Sequence, residues 1–270
     1  PGLVFSKGGF VAVPVVFAAR ARGIPVIVHE SDLTPGLANR LTIPFAKAVC
    51  ASFPQTLEQL PKEKAVLTGA PIRAELFLGE GVKGDAFLGG AAAQSGDWPL
   101  ERPLLLIVGG SLGSRNLNKA VRAVLSELLK RWRVAHLCGK DGLDASLQGA
   151  PGYRQMEYVS AEMPDVLAAA DLILSRAGSN AIFEFLALQK PHLLVPLPLT
   201  ASRGDQILNA RAFAAEGYSR VLAEEEMGNG RLVQELEILA AQAELHRQAM
   251  RGSPFRDGAR KVMEVIARFG

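Results

Sequence analysis

Histidine, cysteine and aromatic residues are scarce in this sequence. Its 270 residues include four histidines, two cysteines, three tyrosines and two tryptophans. Cys50 and Cys138 lie in separate apolar stretches, without the spacing of a disulfide framework or a thiolate metal site. They read as buried thiols of a reducing compartment, and no metal is expected. Apolar residues make up 49% of the chain, yet no run is long enough to span a bilayer and no secretory leader pattern occurs. The net charge is only +3. That mild excess suits a phosphate-bearing ligand or an anionic membrane surface, and no basic stripe suggests nucleic acid. These absences point to a cytosolic protein. What is plentiful is Ala, Leu, Val and Gly, the composition of layered α/β packing.

The chain alternates strand and helix patterns from its first residues. Leu3–Phe5 reads as the end of a strand, Phe10–Arg22 as an Ala-rich helix stopped by Gly23, and Ile24–Val28 as a buried strand. Pro35–Ala46 is helical, and Ala48–Ser52 and Ala65–Thr68 are further strands. A doubly wound parallel sheet follows from this rhythm. Residues 1–78 are expected to form a Rossmann-like domain that is incomplete, because such a sheet normally has more strands before this point. Residues 79–101 shift to G-E-G-V-K-G-D and G-G-A-A-A-Q-S-G-D-W-P, the composition of a linker, with a short helical piece near 85–88. Residues 102–250 carry six strand patterns, starting at Pro103, Val134, Tyr153, Asp171, His192 and Tyr218, which make a complete Rossmann-like domain. A polar helix over Leu232–Met250 precedes a last one over Phe255–Phe269. Within 251–270, that last helix is expected to pack back towards the first domain. Met and Phe residues read as core.

Several strand ends carry polar groups where ligands bind in open α/β sheets. Leu104–Val108 runs into Gly109-Gly110-Ser111-Leu112-Gly113-Ser114 and then a helix. This loop fails as a dinucleotide fingerprint, because no acidic residue ends the next strand about 20 residues later. It matches a nucleophile elbow in spacing, but His136 lies inside a strand and His192 opens one at the opposite edge. A phosphate cradle of free N–H groups remains, with a tight turn as the plainer reading. The stretch Ser175–Asn209 has the same logic twice over. Ser175-Arg176-Ala177-Gly178-Ser179 leads into a helix bearing Glu184, at the distance where a ribose diol would lie from a diphosphate held at the helix start. Arg176 could neutralise phosphate or brace the turn, with bracing the commoner role. Asp205, Gln206 and Asn209 crowd the next helix start, as sugar partners or as capping groups. In the first domain, His29-Glu30-Ser31-Asp32 emerges from a buried strand. It reads either as a cleft or as a capping turn with Asp32 or Thr34 as the cap. Arg73, at the end of Thr68-Gly69-Ala70-Pro71-Ile72-Arg73, could face the same cleft.

Taken in order, K-G-G-F-V-A-V-P-V-V, I-P-V-I-V-H-E-S-D-L-T-P-G-L-A-N-R, T-G-A-P-I-R, G-G-S-L-G-S-R-N-L-N, S-R-A-G-S-N-A-I-F-E and R-G-D-Q-I-L-N-A resemble the MurG family of glycosyltransferases. The resemblance covers almost the whole chain. It implies the two-domain GT-B fold and inverting transfer of GlcNAc from UDP-GlcNAc to undecaprenyl-diphosphate-muramyl-pentapeptide (lipid I to lipid II), at the inner face of the cell membrane. No cofactor is implied, since UDP-GlcNAc is a substrate. By resemblance, Gly110, Ser111 and Gly113 meet the donor diphosphate, with Arg176, Gly178 and Ser179 near it. Val159 falls where backbone meets uracil, and Glu184 holds the ribose hydroxyls. Gln206 with Asp205 recognises GlcNAc, beside Asn209, while His29, Glu30, Asp32 and Arg73 face the cleft from the acceptor side. Three departures stand out. Leu112 and the Ser31-Asp32 pair replace residues common in the family. The G-G-T-G-G-H loop, whose His is a candidate base, has no counterpart, so the catalytic residue is unassigned. The chain therefore reads as a member without roughly the first quarter, along with most of the apolar membrane patch. The alternatives are a UDP-GlcNAc-binding remnant, half of a split enzyme, or another GT-B enzyme such as a lipid glycosyltransferase. An epimerase would need several acid/base residues across the cleft, and these are not found.

Overall fold

Strands that alternate with helices and are buried on both faces must pair in parallel, and the computed structural model contains two such sheets. It describes residues 1–90, 97–109, 114–255 and 257–269. The chain divides into two compact units, one of Pro1–Arg73, Ser179–Phe183 and Ser253–Gly270, the other of Ala74–Gly178 and Glu184–Gly252.

The first unit contains β1 (Val4–Ser6), α1 (Ala12–Ala21), β2 (Val26–Glu30), α2 (Leu37–Thr42), β3 (Ala48–Ala51) and β4 (Ala65–Leu67). The order is β1-β2-β3-β4, parallel throughout. Alternate side chains along β2 face opposite sides of the sheet. Val26 and Val28 join Val49, Ala51, Val16 and Leu60 on one face. Ile27 joins Ala48 and Cys50 on the other, against Val262 and Val265 of the last helix (Gly258–Ala267). That helix seats on bare backbone, because a Cβ on Gly258 would lie 2.1 Å from the Ala70 carbonyl oxygen. Not every apolar residue is core. Phe10, Val11, Val15 and Phe17 in and around α1 are exposed, as are Leu37, Leu41 and Phe45. Phe17 and Phe45 stack edge to face at 5.2 Å.

The second unit begins with a 3-10 helix (Ala74–Leu78) and holds α3 (Gly81–Gly89), β5 (Leu104–Val108), α4 (Arg115–Ala123), α5 (Leu125–Leu128), β6 (Arg133–Leu137), β7 (Tyr153–Met156), α6 (Met163–Ala169) and β8 (Leu172–Ser175). After β8 come α7 (Ser179–Ala187), β9 (His192–Leu194), α8 (Asp205–Ala215), β10 (Ser219–Val221), α9 (Arg231–Ala241) and α10 (Ala243–Arg251), with the terminal α11 (Gly258–Ala267) in the first unit. The first residues of α7 are grouped with the first unit. All pairs are parallel in the order β10-β9-β8-β5-β6-β7. The chain steps from β5 to β7 in one direction and returns on the other side of β5. The topological switch point therefore lies between β5 and β8, where such sheets bind ligands. Leu105, Ile107, Leu117, Val121, Leu174 and Leu236 are among the core residues beneath it.

The structure differs from the sequence expectations in places. Part of the stretch read as linker is α3, packed on α6. Its glycines are contact points: a Cβ on Gly79 or Gly84 would lie 2.1 or 2.2 Å from the carbonyl oxygen of Pro164 or Asp165. Asp165 also accepts a hydrogen bond from the Glu80 amide at 2.7 Å. β2 continues through His29 and Glu30, whereas β7 stops at Met156, so Val159 lies in the loop beyond it. The long polar helix is two helices, broken at Gln242. Among the described residues no helix is long and apolar enough to cross a membrane.

Candidate functional site

At the switch point the Ser175 hydroxyl donates to the Val108 carbonyl at 3.1 Å and ties the end of β8 to that of β5. Arg176 follows, and its side chain is only 6% exposed. Its Nε donates to Ser114 Oγ at 2.9 Å, its Nη1 to the Val195 carbonyl at 3.0 Å, and its Nη2 pairs with the Glu224 carboxylate. The guanidinium is thus committed within the protein, the bracing role of the two open from sequence. Gly178 is extended (φ −69°, ψ 131°) and caps α7, leaving the N–H groups of the first turn free of intrahelical partners.

Asn209 is fully buried and donates to the Ala177 carbonyl at 3.3 Å, so it holds this same turn. Gly204 enters α8 in the left-handed region (φ +90°). Asp205 accepts from Arg203 at 3.0 Å. The Gln206 Oε1 accepts from the Leu197 amide at 3.1 Å, which fixes the carboxamide. Glu184 is half-buried, five residues into α7. Gly110, Ser111 and Gly113 lie outside the described residues. The loop's last residue, Ser114, caps α4 and accepts the Asn118 amide at 2.8 Å.

Asn118 extends this framework. Its Nδ2 donates to the Cys138 carbonyl at 2.9 Å, so its Oδ1 accepts from His136 Nε2 at 3.0 Å. Tyr153 then donates its hydroxyl proton to His136 Nδ1, at 2.9 Å. Burial lowers the His136 pKa to about 3, helped by the Arg122 charge, and pushes the Tyr153 hydroxyl up to about 12. This histidine is a neutral structural link.

The first unit has a similar internal network at the end of β2. His29 is fully buried. Its Nε2 donates to the Gly69 carbonyl at 3.2 Å, and Ser31 Oγ bonds Nδ1 at 3.3 Å. Burial lowers its pKa to about 4, so it is neutral. Glu30 is nearly as buried. It accepts from the Asp32 amide at 3.0 Å, the Gly36 amide at 3.1 Å and Asn39 Nδ2 at 2.7 Å. Burial raises its pKa, against the lowering effect of these donors. His29 and Glu30 are therefore turned into the unit, and Glu30 ties down the turn before α2. Asp32 is half-buried and Arg73 exposed.

Glu224, Ser114, Asn118 and Asn39 were not singled out in the sequence. The S/N-rich start of α4 was a usable signal for two of them, whereas Glu224 is one of three consecutive glutamates with nothing to distinguish it. A cavity of about 1020 Å³ opens beside Glu224, with Asn116, Lys119, Leu199 and Arg211 on its walls. None of the residues picked from the sequence lines it. Among the described residues no group of three or more His, Cys, Asp or Glu could hold a metal ion.

The glycosyltransferase family 28 C-terminal domain matches residues 104–265, and the family 28 N-terminal domain matches residues 1–51. A UDP-N-acetylglucosamine--N-acetylmuramyl-(pentapeptide) pyrophosphoryl-undecaprenol N-acetylglucosamine transferase of Lachnoclostridium phytofermentans is 54% identical over 98% of this chain, which spans 73% of that protein. The enzyme of the same name from Clostridium tetani is 48% identical over 100% of the chain and 73% of its own length. The crystal structure of Acinetobacter baumannii MurG superposes with a TM-score of 0.72 at 26% identity, over 99% of this chain and 73% of that one. The two parallel-sheet units are those of the GT-B fold. A chain so similar to these transferases along nearly its whole length belongs to glycosyltransferase family 28, within the MurG family.

Proposed function

We propose that the protein transfers GlcNAc from UDP-GlcNAc to the lipid-linked muramyl-pentapeptide, converting lipid I to lipid II. The observation that carries this reading is the 54% identity to a transferase of that name over 98% of the chain. The donor lies at the β5/β8 switch point. Its diphosphate meets the loop around Gly110, Ser111 and Gly113 and the start of α7 at Gly178 and Ser179, where free N–H groups and helix dipoles stabilise negative charge. Uracil meets backbone near Val159. Glu184 accepts hydrogen bonds from the ribose hydroxyls, and Gln206, held by Leu197, offers its NH2 to the sugar beside Asp205. Arg73 lies on the acceptor side.

The acceptor hydroxyl displaces UDP in line, with inversion, and the helix starts stabilise the departing diphosphate. His29, His136 and His192 are buried and neutral. The base that deprotonates the acceptor is assigned to none of them. The exposed apolar face of α1 and α2, flanked by exposed Arg20, Arg22 and Arg40, suits docking on an anionic lipid surface at the cytoplasmic face of the membrane.

Calorimetric titration with UDP tests the donor site. The wild-type chain binds UDP, and Glu184→Ala weakens binding by about 10-fold, a loss of about 1.4 kcal/mol. No UDP binding by the folded wild-type chain would sink the reading. Transfer of labelled GlcNAc to a lipid I analogue, and not to diacylglycerol, identifies the acceptor.

A further inference from the structure

The donor-site reading leaves unexplained a carboxylate that lies far from every motif. Glu224 follows β10, the edge strand of a sheet ordered β10-β9-β8-β5-β6-β7. Its side chain reaches back over the carboxyl ends of β9 and β8. One oxygen pairs with Arg176 Nη2, and the other accepts from Asn116 Nδ2, in the first turn of α4, at 2.6 Å. Arg176 in turn grips Ser114, which caps α4, and the Val195 carbonyl at the end of β9. These bonds tie the start of α4 to the strand ends of β10, β9 and β8.

The arrangement has a physical requirement. A guanidinium buried to this degree needs a counter-charge, or its desolvation becomes a liability. Glu224 supplies it, and Asn116 satisfies the oxygen that Arg176 does not use. Arg176 is thereby held in the rotamer that fixes Ser114. Ser114 is the cap of α4, and Arg176 itself precedes the turn into α7. The pair consequently fixes the start of α4 against the turn that follows β8, at the switch point.

We infer that Glu224 is a positioning residue for the donor diphosphate, acting through Arg176 and Asn116 without touching the ligand. The inference rests on the donor-site reading above and adds to it a residue that no motif contains. Its consequence is selective. Loosening the clasp spoils the diphosphate cradle but leaves the uracil and ribose contacts, which lie at Val159 and Glu184, in place.

The test compares UDP with uridine by calorimetric titration of the wild-type chain and of Glu224→Ala, Glu224→Gln and Glu224→Asp. Glu224→Ala and Glu224→Gln are expected to weaken UDP by about 10-fold while uridine stays within about twofold. Glu224→Asp should recover much of the UDP affinity. In turnover the donor KM rises more than kcat falls. Equal losses for UDP and uridine would reduce Glu224 to general support of the fold and overturn the inference, as would unchanged UDP binding. Glu224→Gln keeps shape and the Asn116 bond, so it serves if the alanine variant does not fold. If wild-type protein fails to bind UDP, the donor-site reading falls and takes this inference with it. A failure confined to the variants removes only the clasp.

Discussion

Each unit turns a charged residue inward at the end of a central strand, and the two charges have opposite sign. In the first unit, Glu30 accepts from Asp32, Gly36 and Asn39, all within nine residues of it. In the second, Arg176 is held by Ser114, Val195 and Glu224, from 19 to 62 residues away. The acid is served by neutral local donors, and burial raises its pKa. The cation is served by a carboxylate of its own. The local brace shapes one turn, whereas the distant brace determines how several strand ends meet.

Breaking the two braces should therefore cost different amounts. Arg176→Met leaves Glu224 half-buried without its partner, and denaturant unfolding should show a loss of about 3–5 kcal/mol. Glu30→Gln leaves a local donor without its acceptor, and its cost should be about 1–3 kcal/mol. Equal losses would erase the distinction between them.

A second contrast lies in the glycine seats. Gly84 holds α3 against Asp165 in the second unit, and Gly258 holds α11 against Ala70 in the first. Alanine at either position forces backbone apart, at a cost of about 1–3 kcal/mol. Limited proteolysis should release the helix of the substituted unit only. Release of both helices by one substitution would show that the seats are not independent.

Acid sharpens the comparison most gently. A histidine buried neutral has a folded pKa below its unfolded one. The unfolded chain then takes up protons first, and stability is lost as pH falls. His136 and His192 in the second unit, lowered to about 3 and about 4, each lose about 1.4 kcal/mol per pH unit below about 6.5. In the first unit His29 does the same down to about 4. Glu30 opposes it, because its folded pKa is raised and its protonation relieves the burial of charge. Both tryptophans, Trp98 and Trp132, belong to the second unit. Tryptophan fluorescence should change at a higher pH than the far-ultraviolet circular dichroism of the whole chain. Coincident transitions would contradict the offset.

The readable features share a short range. β2 and β5 are continuous apolar runs between turn signals, and their parallel pairing follows from the helices between them. Gly178 and Ser179 at a helix start, and Glu184 along it, are set by local spacing. The misread features depend on partners elsewhere. Gly79 and Gly84 look like linker residues because a glycine's pattern is the same in a flexible link and in a close backbone contact. His29 looks like a cleft residue because it ends a strand at the ligand-binding edge, yet the Gly69 turn, some 40 residues later, closes over it. Phe10 and Phe17 look like core residues by side-chain type, yet they are exposed.

The amino-acid sequence by itself determined two parallel α/β sheets, the strand ends that carry polar groups, and the family, because hydrophobic periodicity and turn chemistry act over a few residues. Tertiary structure alone decided which polar groups look outward and which are spent inside. It assigned Arg176 to Ser114 and Glu224, Asn209 to the turn before α7, and His29 and Glu30 to the interior. The physical reason is that a buried charge or donor must find its partner wherever the fold brings one. That partner can lie anywhere along the chain.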